Sequence, residues 1–290
     1  MTQKPKIIEC PRDAWQALPG LIPTARKAAH LRALIDAGFT HIDAASFVSP
    51  AAVPQMADSE AVLELLGPHP GTEIIAIVVN QRGADRAIKT GAIDTLGFPF
   101  SISPEFLRRN QNQTPEQSLA ALQIIASMAL SEGKEVVAYI SMAFGNPYDD
   151  PWTVDAVING CAEIIELGIR QISLADTVGL AMSSQVADTV CAALAAFPDA
   201  EIGVHLHARR DHAAAKIRAA YEAGCRRFDA ALGGLGGCPF AQDDLVGNIP
   251  TEVLLAELKA LGAELPAIKP LDELLQASAD LASTHAAPPH

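Results

Sequence analysis

A single supersecondary unit recurs through this sequence of 290 residues and constrains its fold more than any other feature. In each copy a helical pattern ends at a glycine, and after a short link an apolar strand pattern carries an aspartate. The unit recurs at residues 38–43, 91–94, 168–176 and 224–229. Over the whole chain, eight strand patterns alternate with eight helical patterns. Strict alternation predicts parallel strands with right-handed crossovers, and eight units are the number that closes a (β/α)8 TIM barrel.

A doubly wound open sheet is the alternative fold. It would carry a glycine-rich phosphate-binding turn after its first strand, whereas this chain continues with Pro11-Arg12-Asp13. We therefore predict a barrel, with its chemistry at the carboxyl ends of the strands. The segment 271–290 indicates one more helix and then a disordered end. We expect residues 1–275 to form a single TIM-barrel catalytic domain with a short helical extension, and residues 276–290 to form a partly disordered tail.

Composition and charge narrow the class of partner. The hydrophobic fraction of 49% is ample for a large core, and the net charge of -13 argues against nucleic acid or an anionic membrane as the main partner. The amino terminus shows no signal pattern, and no apolar run is long enough to span a bilayer. Five cysteines without paired spacing are typical of free thiols in a reducing compartment. We expect a soluble cytoplasmic protein.

Two histidines stand at the exit of a short apolar strand pattern, residues 202–207. Because side chains alternate along a strand, His205 and His207 should project to the same face while Val204 and Leu206 pack on the other. Two imidazoles so placed can hold one metal ion. The alternative is a pair of core histidines, each with its own hydrogen-bond partner.

Charged residues also follow other strand patterns. Unless they are paired or bind an ion, such groups are rarely buried, so a ring of ion pairs is the alternative to a metal site. In a closed barrel the eighth strand lies beside the first, which brings Asp13, the two histidines and a residue of the loop after strand eight together. Such a mixed nitrogen and oxygen set suits Mg²⁺ or Mn²⁺ and does not exclude Zn²⁺. The residues at the strand exits are Arg12, Asp13, Asp43, Asp176, His205, His207, Arg209 and the loop 233–248.

Several short motifs, in one collinear order over roughly residues 7 to 255, resemble the hydroxymethylglutaryl-CoA lyase family of metal-dependent lyase and aldolase barrels. The SFVSP and GLGGCP segments are specific to the lyases, whereas the Arg-Asp and His-x-His elements are shared with related condensing enzymes and aldolases. The motifs are Pro11-Arg12-Asp13 with Gln16, 46-SFVSP-50, 53-VPQM-56, 139-YIS-141, 147-PY-148, 173-SLADTVG-179, 205-HLH-207, 234-GLGGCPFAQ-242, 247-GN-248 and 251-TE-252.

The resemblance implies a carbon–carbon lyase that cleaves hydroxymethylglutaryl-CoA, or a related 3-hydroxy-3-methylacyl-CoA, to acetyl-CoA and a 3-oxo acid by retro-Claisen or aldol-type chemistry. It also implies a homodimer and a role in leucine degradation. The implied ligands of Mg²⁺ or Mn²⁺ are Asp13, His205, His207 and Asn248. The implied catalytic residues are Arg12, Cys238, His205, Asp176 and Asp43, and the expected substrate-binding residues are Arg12, Gln16, Arg209 and Ser141.

The resemblance also implies roles for individual residues, and the chemistry of the cleavage makes physical sense of these residue types. Arg12 should neutralise the thioester oxygen as it becomes an enolate. His205 and Cys238 are the candidates for proton transfer, since a thiol with a pKa near 8.5 exchanges protons near neutrality after a modest shift. Cys238 would lie on a mobile loop, which the glycines at 233, 234, 236 and 237 allow to bend and close over the substrate.

The sequence departs from the family pattern where residues should face the substrate. Asp43 stands in place of a glutamate, Ala14-Trp15 in place of a Gly-Leu pair, and Asn146 in place of a cysteine. We expect the Trp15 indole near the wall of the pocket. Ala208-Arg209 replaces Asp-Thr, and by strand alternation Arg209 should share the face of the two histidines. Arg209 is then either a solvent-facing loop residue or a clamp for a substrate carboxylate. These changes leave open an acyl group other than hydroxymethylglutaryl.

Two other functions remain open from the sequence. One is a synthase of the same superfamily that condenses an acyl-CoA with a 2-oxo acid, which would need no thiol in a mobile loop. The other is a non-catalytic barrel that binds metal but has lost turnover through the changes at positions 43, 146 and 209.

Overall fold

The computed structural model describes residues 4–236 and 246–286, and over these ranges it forms a closed barrel of eight parallel strands. Each strand pairs with the next along the chain, and the last pairs with the first from Lys6 beside Arg227 to Glu9 beside Ala230. The barrel predicted from the sequence is confirmed. The strands are β1 (Lys6–Glu9), β2 (His41–Ser46), β3 (Glu73–Ile77), β4 (Thr95–Ser101), β5 (Glu135–Ser141), β6 (Gln171–Asp176), β7 (Glu201–Leu206) and β8 (Arg227–Ala230).

The helices surround the barrel, and most begin or end at the signals expected from the sequence. Thr114 and Gln117 form a reciprocal capping box at the start of one helix, and Gly38 ends another in the left-handed conformation. The helices are α1 (Pro11–Gln16), α2 (Thr24–Ala37), α3 (Ser59–Leu66), α4 (Gln81–Lys89), α5 (Pro104–Gln111), α6 (Pro115–Ser131), α7 (Val154–Glu166), α8 (Ser183–Ala196), α9 (Arg210–Glu222), α10 (Thr251–Ala260) and α11 (Asp272–His285).

Two short helices, α1 and α5, are absent from the sequence-based prediction. Helix α1 begins at Pro11 directly after β1, because a proline at the first helical position needs no backbone donor. It carries Arg12 and Asp13, so these two side chains leave the first strand on a turn of helix rather than on an extended loop.

Alternation along the strands separates two apolar layers. Inside the barrel, side chains including Ile8, Ile75 and Val137 form a small closed cluster. The alternate residues of the strands, such as Ile74 and Phe228, point outward and join the large core beneath the helices. Burying one such side chain contributes about 1.5–3 kcal/mol, so both layers hold the strand ends in fixed positions.

The helix expected near the end of the chain is α11, which packs on the outside of the barrel. Its Leu274 and Leu281 are buried, and its Ser278 hydroxyl lies 3.4 Å from His30 Nε2 of α2. The division of the chain into a domain and a tail at residue 275 falls within this helix and stays a prediction. Among residues 4–236 and 246–286, none of the helices combines the length and apolar character required to cross a membrane.

Candidate active site

A cavity of about 610 Å³ opens at the carboxyl ends of the strands. Its floor and walls come from inward-facing strand residues and from the segments that follow β1, β2, β3 and β4. Three of the predicted substrate-binding residues, Arg12, Gln16 and Ser141, line it, together with Asp13, His205 and His207. The structure therefore brings these residues, which are distant in sequence, into one site.

Three potential metal ligands converge in this cavity. One ligand atom each from Asp13, His205 and His207 lies within 4.8 Å of the others, and all three residues are buried. The Nε2 atoms of the two histidines are 3.2 Å apart. As predicted, the two imidazoles leave the same face of β7, while Val204 and Leu206 pack into the outer core.

The other ring nitrogen of each histidine faces an acceptor. His207 Nδ1 lies 3.0 Å from the Thr177 carbonyl oxygen, and His205 Nδ1 lies 3.4 Å from Asp229 Oδ2. An acceptor on Nδ1 favours the tautomer in which Nδ1 carries the proton and Nε2 has a free lone pair. Both rings can thus present an unprotonated Nε2 at the point where the two Nε2 atoms approach each other.

Asn248 supplies a fourth potential ligand atom, an amide oxygen, at the same place. Its Nδ2 donates to Asp13 Oδ2 at 2.7 Å and to the Leu235 carbonyl at 2.9 Å, whereas its buried Oδ1 has no hydrogen-bond partner among the residues that the structure describes. A buried oxygen without a partner is costly unless it binds an ion. This donor set fits a divalent cation. A Cβ at Gly236 would lie 2.7 Å from Asn248 Nδ2, so the close approach of this loop requires glycine.

Arg12 is held beside the metal ligands by three side chains. Its Nε lies 3.1 Å from both carboxylate oxygens of Asp43, and its Nη2 also donates to that carboxylate. Its Nη1 donates to Asp13 Oδ1 at 3.0 Å and to Gln16 Oε1 at 2.9 Å. Asp43 is fully buried and does not line the cavity, and its carboxylate orients Arg12.

Burial and neighbouring charges shift the pKa values of the site in opposite directions. Burial raises the pKa of Asp13, but Arg12 and the two histidines outweigh it and lower that pKa to about 2. Burial, followed by the charge of His205, lowers the pKa of His207 to about 4. Burial also lowers the pKa of His205, but Asp229 and Asp13 outweigh it, and the net change is upward. The metal-free site therefore favours an ionised Asp13 and a neutral His207.

Asp176 is near the site but turned away from it. It ends β6 on the outward face, where its Oδ2 accepts from Lys216 Nζ of α9 at 2.6 Å. The same ammonium group donates to the carbonyls of Gly179 and His207. Burial raises the pKa of Asp176, and Lys216 opposes that shift. Asp176 thus ties the loop after β6 to the end of β7 and does not line the cavity.

Arg209 does not share the face of the histidines, which corrects that expectation. Strand β7 ends at Leu206, so its alternation stops before Arg209, which precedes the first residue of α9. The Arg209 side chain is 77% exposed, with Asp211 at 3.9 Å as its ion-pair partner, and it does not line the cavity. Cys238 lies outside the described residues.

Two other departures from the family pattern have structural roles. Trp15 is buried edge-on against His30 and is not part of the cavity wall, contrary to our expectation. Asn146 Oδ1 accepts from the backbone of Tyr148 and Asp150, so this side chain builds the turn after β5.

Sequence reasoning missed the second layer of the site. Asp229, Lys216 and Tyr139 contact the histidines or their loops, and Arg227 lies beneath Asp229. A signal was available for one pair. Arg227 and Asp229 are two residues apart on β8, so their side chains share one face of the strand. That face points into the barrel, and Asp229 pairs with His205 of β7.

Comparison with known proteins shows the family of this chain. The family model described as HMGL-like matches residues 4–283. The chain belongs to the HMGL-like family. It is 33% identical over 268 residues to hydroxymethylglutaryl-CoA lyase YngG of Bacillus subtilis, covering 92% of this chain and 88% of that protein. The match to the mitochondrial hydroxymethylglutaryl-CoA lyase of Arabidopsis thaliana is 32% identical over 89% of this chain, which spans 55% of that longer protein.

A solved structure shows the same fold with ligands. The HMG-CoA lyase of Acinetobacter baumannii, in complex with coenzyme A and 3-methylmalate, superposes with a TM-score of 0.88 at 33% identity and covers 99% of this chain and 93% of that one. The family and fold predicted from the sequence are therefore confirmed. The roles of the individual residues stay predictions.

Proposed function

We propose that this protein is a divalent-metal-dependent acyl-CoA lyase. It cleaves hydroxymethylglutaryl-CoA, or a related 3-hydroxy-3-methylacyl-CoA, between C2 and C3 to give acetyl-CoA and a 3-oxo acid. One observation carries the proposal: Asp13, His205 and His207 converge within 4.8 Å in a cavity that Arg12 also lines. The relatives named as HMG-CoA lyases support the reaction class.

We assign Asp13, His205, His207 and Asn248 to the cation. Carboxylate and amide oxygens with two imidazoles suit Mg²⁺ or Mn²⁺. When bound, the cation acts as a Lewis acid toward oxygen atoms of the substrate. The unpartnered Asn248 Oδ1 supports its place in this set.

Arg12 supplies the fixed positive charge. Its guanidinium lines the cavity and is held on one side by Asp43 and on the other by Asp13 and Gln16. A donor fixed in advance stabilises the charge that develops on the thioester oxygen without reorganising during the reaction. Gln16 and Ser141, which also line the cavity, bind the substrate.

Proton transfer is assigned to Cys238 rather than to His205. One nitrogen of His205 faces the other metal ligands and the second faces Asp229, so neither is available for a substrate proton. The Cys238 assignment follows from the family motif, and Cys238→Ser tests it. A large loss of acetyl-CoA release with intact metal binding supports this role, whereas near-normal release would contradict it.

The acyl group is the open part of the assignment. Among the described residues that line the cavity, Arg12 is the only arginine or lysine. Arg209 lies outside the cavity, where its side chain is exposed. The distal carboxylate of hydroxymethylglutaryl-CoA therefore meets few cations here, which favours related 3-hydroxy-3-methylacyl groups as competing substrates.

A screen of 3-hydroxyacyl-CoA thioesters for acetyl-CoA release, with and without Mn²⁺, tests the proposal. We expect metal-dependent release from at least one 3-hydroxy-3-methylacyl-CoA and its abolition by a chelator. No turnover of hydroxymethylglutaryl-CoA or of its larger 3-alkyl analogues would overturn the lyase assignment. Metal binding without any cleavage would favour a non-catalytic barrel.

The setting of the enzyme is also proposed. We assign the enzyme to the cytoplasm on its five cysteines without paired spacing. We propose that it is a homodimer and acts in leucine degradation on the resemblance to its family. Sedimentation equilibrium of the purified chain tests the dimer, and a monomer at micromolar concentration contradicts it.

A further inference from the structure

An arginine lies inside the barrel directly below the metal ligands. Arg227 of β8 points inward and is only 1% exposed. Room for it comes from Gly203 on the adjacent strand β7: a Cβ there would lie 2.8–2.9 Å from the Cβ, Cγ and Cδ of Arg227. The pairing of a glycine with a buried arginine places a positive charge two residues below His205.

Arg227 contacts two carboxylates. Its Nη2 lies 3.6 Å from Asp229 Oδ1, and its Nε lies 3.2 Å from Glu201 Oε1. Both are electrostatic contacts longer than close hydrogen bonds. They involve two different nitrogens of the guanidinium, Nε and Nη2. The contact to Asp229 leads upward toward the site, and the contact to Glu201 leads to the lower end of the barrel.

Asp229 lies between this cation and the metal ligand. It is fully buried, its Oδ2 accepts from the Ser173 hydroxyl at 2.9 Å, and the same oxygen lies 3.4 Å from His205 Nδ1. One carboxylate oxygen therefore faces Arg227 while the other faces the imidazole. Rotation of the carboxylate would break both contacts at once.

A buried ion pair rarely stabilises a fold more than apolar residues of the same volume would. Its use here is better explained by orientation, because a carboxylate behind a metal-bound histidine fixes the ring and its tautomer. Ser173 alone donates one hydrogen bond to Asp229 and leaves its charge uncompensated. Arg227 supplies the compensating charge, 3.6 Å from the carboxylate oxygen that Ser173 does not reach.

We propose that Arg227 is a positioning residue for the metal site: it fixes the Asp229 carboxylate so that His205 presents an unprotonated Nε2 to the cation. This inference rests on the metal site proposed above. Arg227 does not line the cavity, so it acts through Asp229.

The test is the affinity of the purified full-length protein for Mn²⁺, measured by titration calorimetry and by the electron paramagnetic resonance of free Mn²⁺. Arg227→Met, which keeps the length of the side chain without its charge, should weaken binding roughly 10- to 100-fold, the usual effect of losing a partner behind a metal ligand. Arg227→Lys should recover most of the affinity. Gly203→Ala should weaken binding in the same direction, since the new methyl group displaces Arg227.

Lys27→Met is a matched control. Lys27 is also a buried cation, 3% exposed, with Asp58 Oδ1 at 2.6 Å from its Nζ, but it lies on α2 away from the metal ligands. We expect this variant to lose thermal stability and to keep the Mn²⁺ affinity of the parent.

A double-mutant cycle separates positioning from general stability. If Arg227 acts through Asp229, the double variant R227M/D229N should bind Mn²⁺ no more weakly than Asp229→Asn alone. Additive losses, or parental affinity in a folded Arg227→Met protein, overturn the inference. If Arg227→Met does not fold, Arg227→Lys and Gly203→Ala decide the question in the same assay. A parental protein that binds no Mn²⁺ would instead overturn the metal site itself.

Discussion

His205 and His207 stand two residues apart on one strand, yet different parts of the molecule hold them. His205 faces a charged acceptor inside the barrel, Asp229, which is backed by Arg227. His207 faces a neutral acceptor, the Thr177 carbonyl in the loop after β6. Behind that loop stands a different buried cation, Lys216, which bonds Asp176 and the His207 carbonyl.

The difference shows how one strand can supply two unequal ligands. A carboxylate makes its imidazole more basic than a backbone carbonyl does. Accordingly, the pKa of His205 rises, because Asp229 and Asp13 outweigh burial, whereas burial and His205 lower that of His207 to about 4. His205 is the ligand whose proton competes with the cation, and His207 is neutral in advance.

The largest effect should come from removing either histidine. His205→Ala and His207→Ala each delete a proposed ligand, so both should lose more metal affinity than the roughly 10- to 100-fold expected for an outer partner. Turnover should fall with it. Mn²⁺ titration and acetyl-CoA release measure the two losses, and a mild effect for only one histidine would remove that residue from the ligand set.

Lys216→Met should separate stability from metal binding. It leaves Asp176, which is 2% exposed, without its cation, so unfolding free energy should fall by about 3–5 kcal/mol. Metal affinity should fall by less than about tenfold, below the loss at Arg227→Met, because the Thr177 carbonyl still accepts from His207. Denaturant unfolding and Mn²⁺ titration check the two values. Equal losses of metal affinity in Lys216→Met and Arg227→Met would contradict the proposed difference between the groups behind His207 and those behind His205.

The pH dependence of metal affinity should follow His205. Its folded pKa is raised above 6.5, so below that pKa the cation must displace a proton, and affinity should fall about tenfold per pH unit. Asp229→Asn removes one of the two carboxylates that raise this pKa, so the decline in affinity should begin at lower pH. Calorimetric titrations between pH 5 and 8 measure it. An unchanged profile in that variant would show that Asp229 does not control the His205 proton.

Arg209→Ala should have the smallest effect. Since Arg209 is 77% exposed and outside the cavity, we expect a change of less than about twofold in kcat/KM, in line with surface substitutions generally. Steady-state kinetics on the best substrate from the screen measure it. A tenfold rise in KM would instead restore Arg209 as a clamp for a substrate carboxylate.

The sequence predicted the barrel because alternation of strands and helices is a local pattern with one closed solution at eight units. It also predicted that Asp13 and the two histidines would meet, because barrel closure puts β8 beside β1. Alternation could not be extended to Arg209, since the end of β7 depends on tertiary contacts. Nor could the sequence show that Asp176 faces outward, because alternation fixes which residues share a face and leaves open which face is inside.

The contact between Asp13 and Asn248 joins residues 235 positions apart in the chain. No fragment lacking either end can form the proposed metal site, so a growing chain should acquire metal affinity only after its last barrel strand has paired with its first. Such distant contacts form slowly, because loop-closure entropy must be overcome before they contribute. Mn²⁺ binding would therefore report the final closure step of folding. A cation that binds only the closed barrel would also stabilise the closed barrel relative to open forms of the chain.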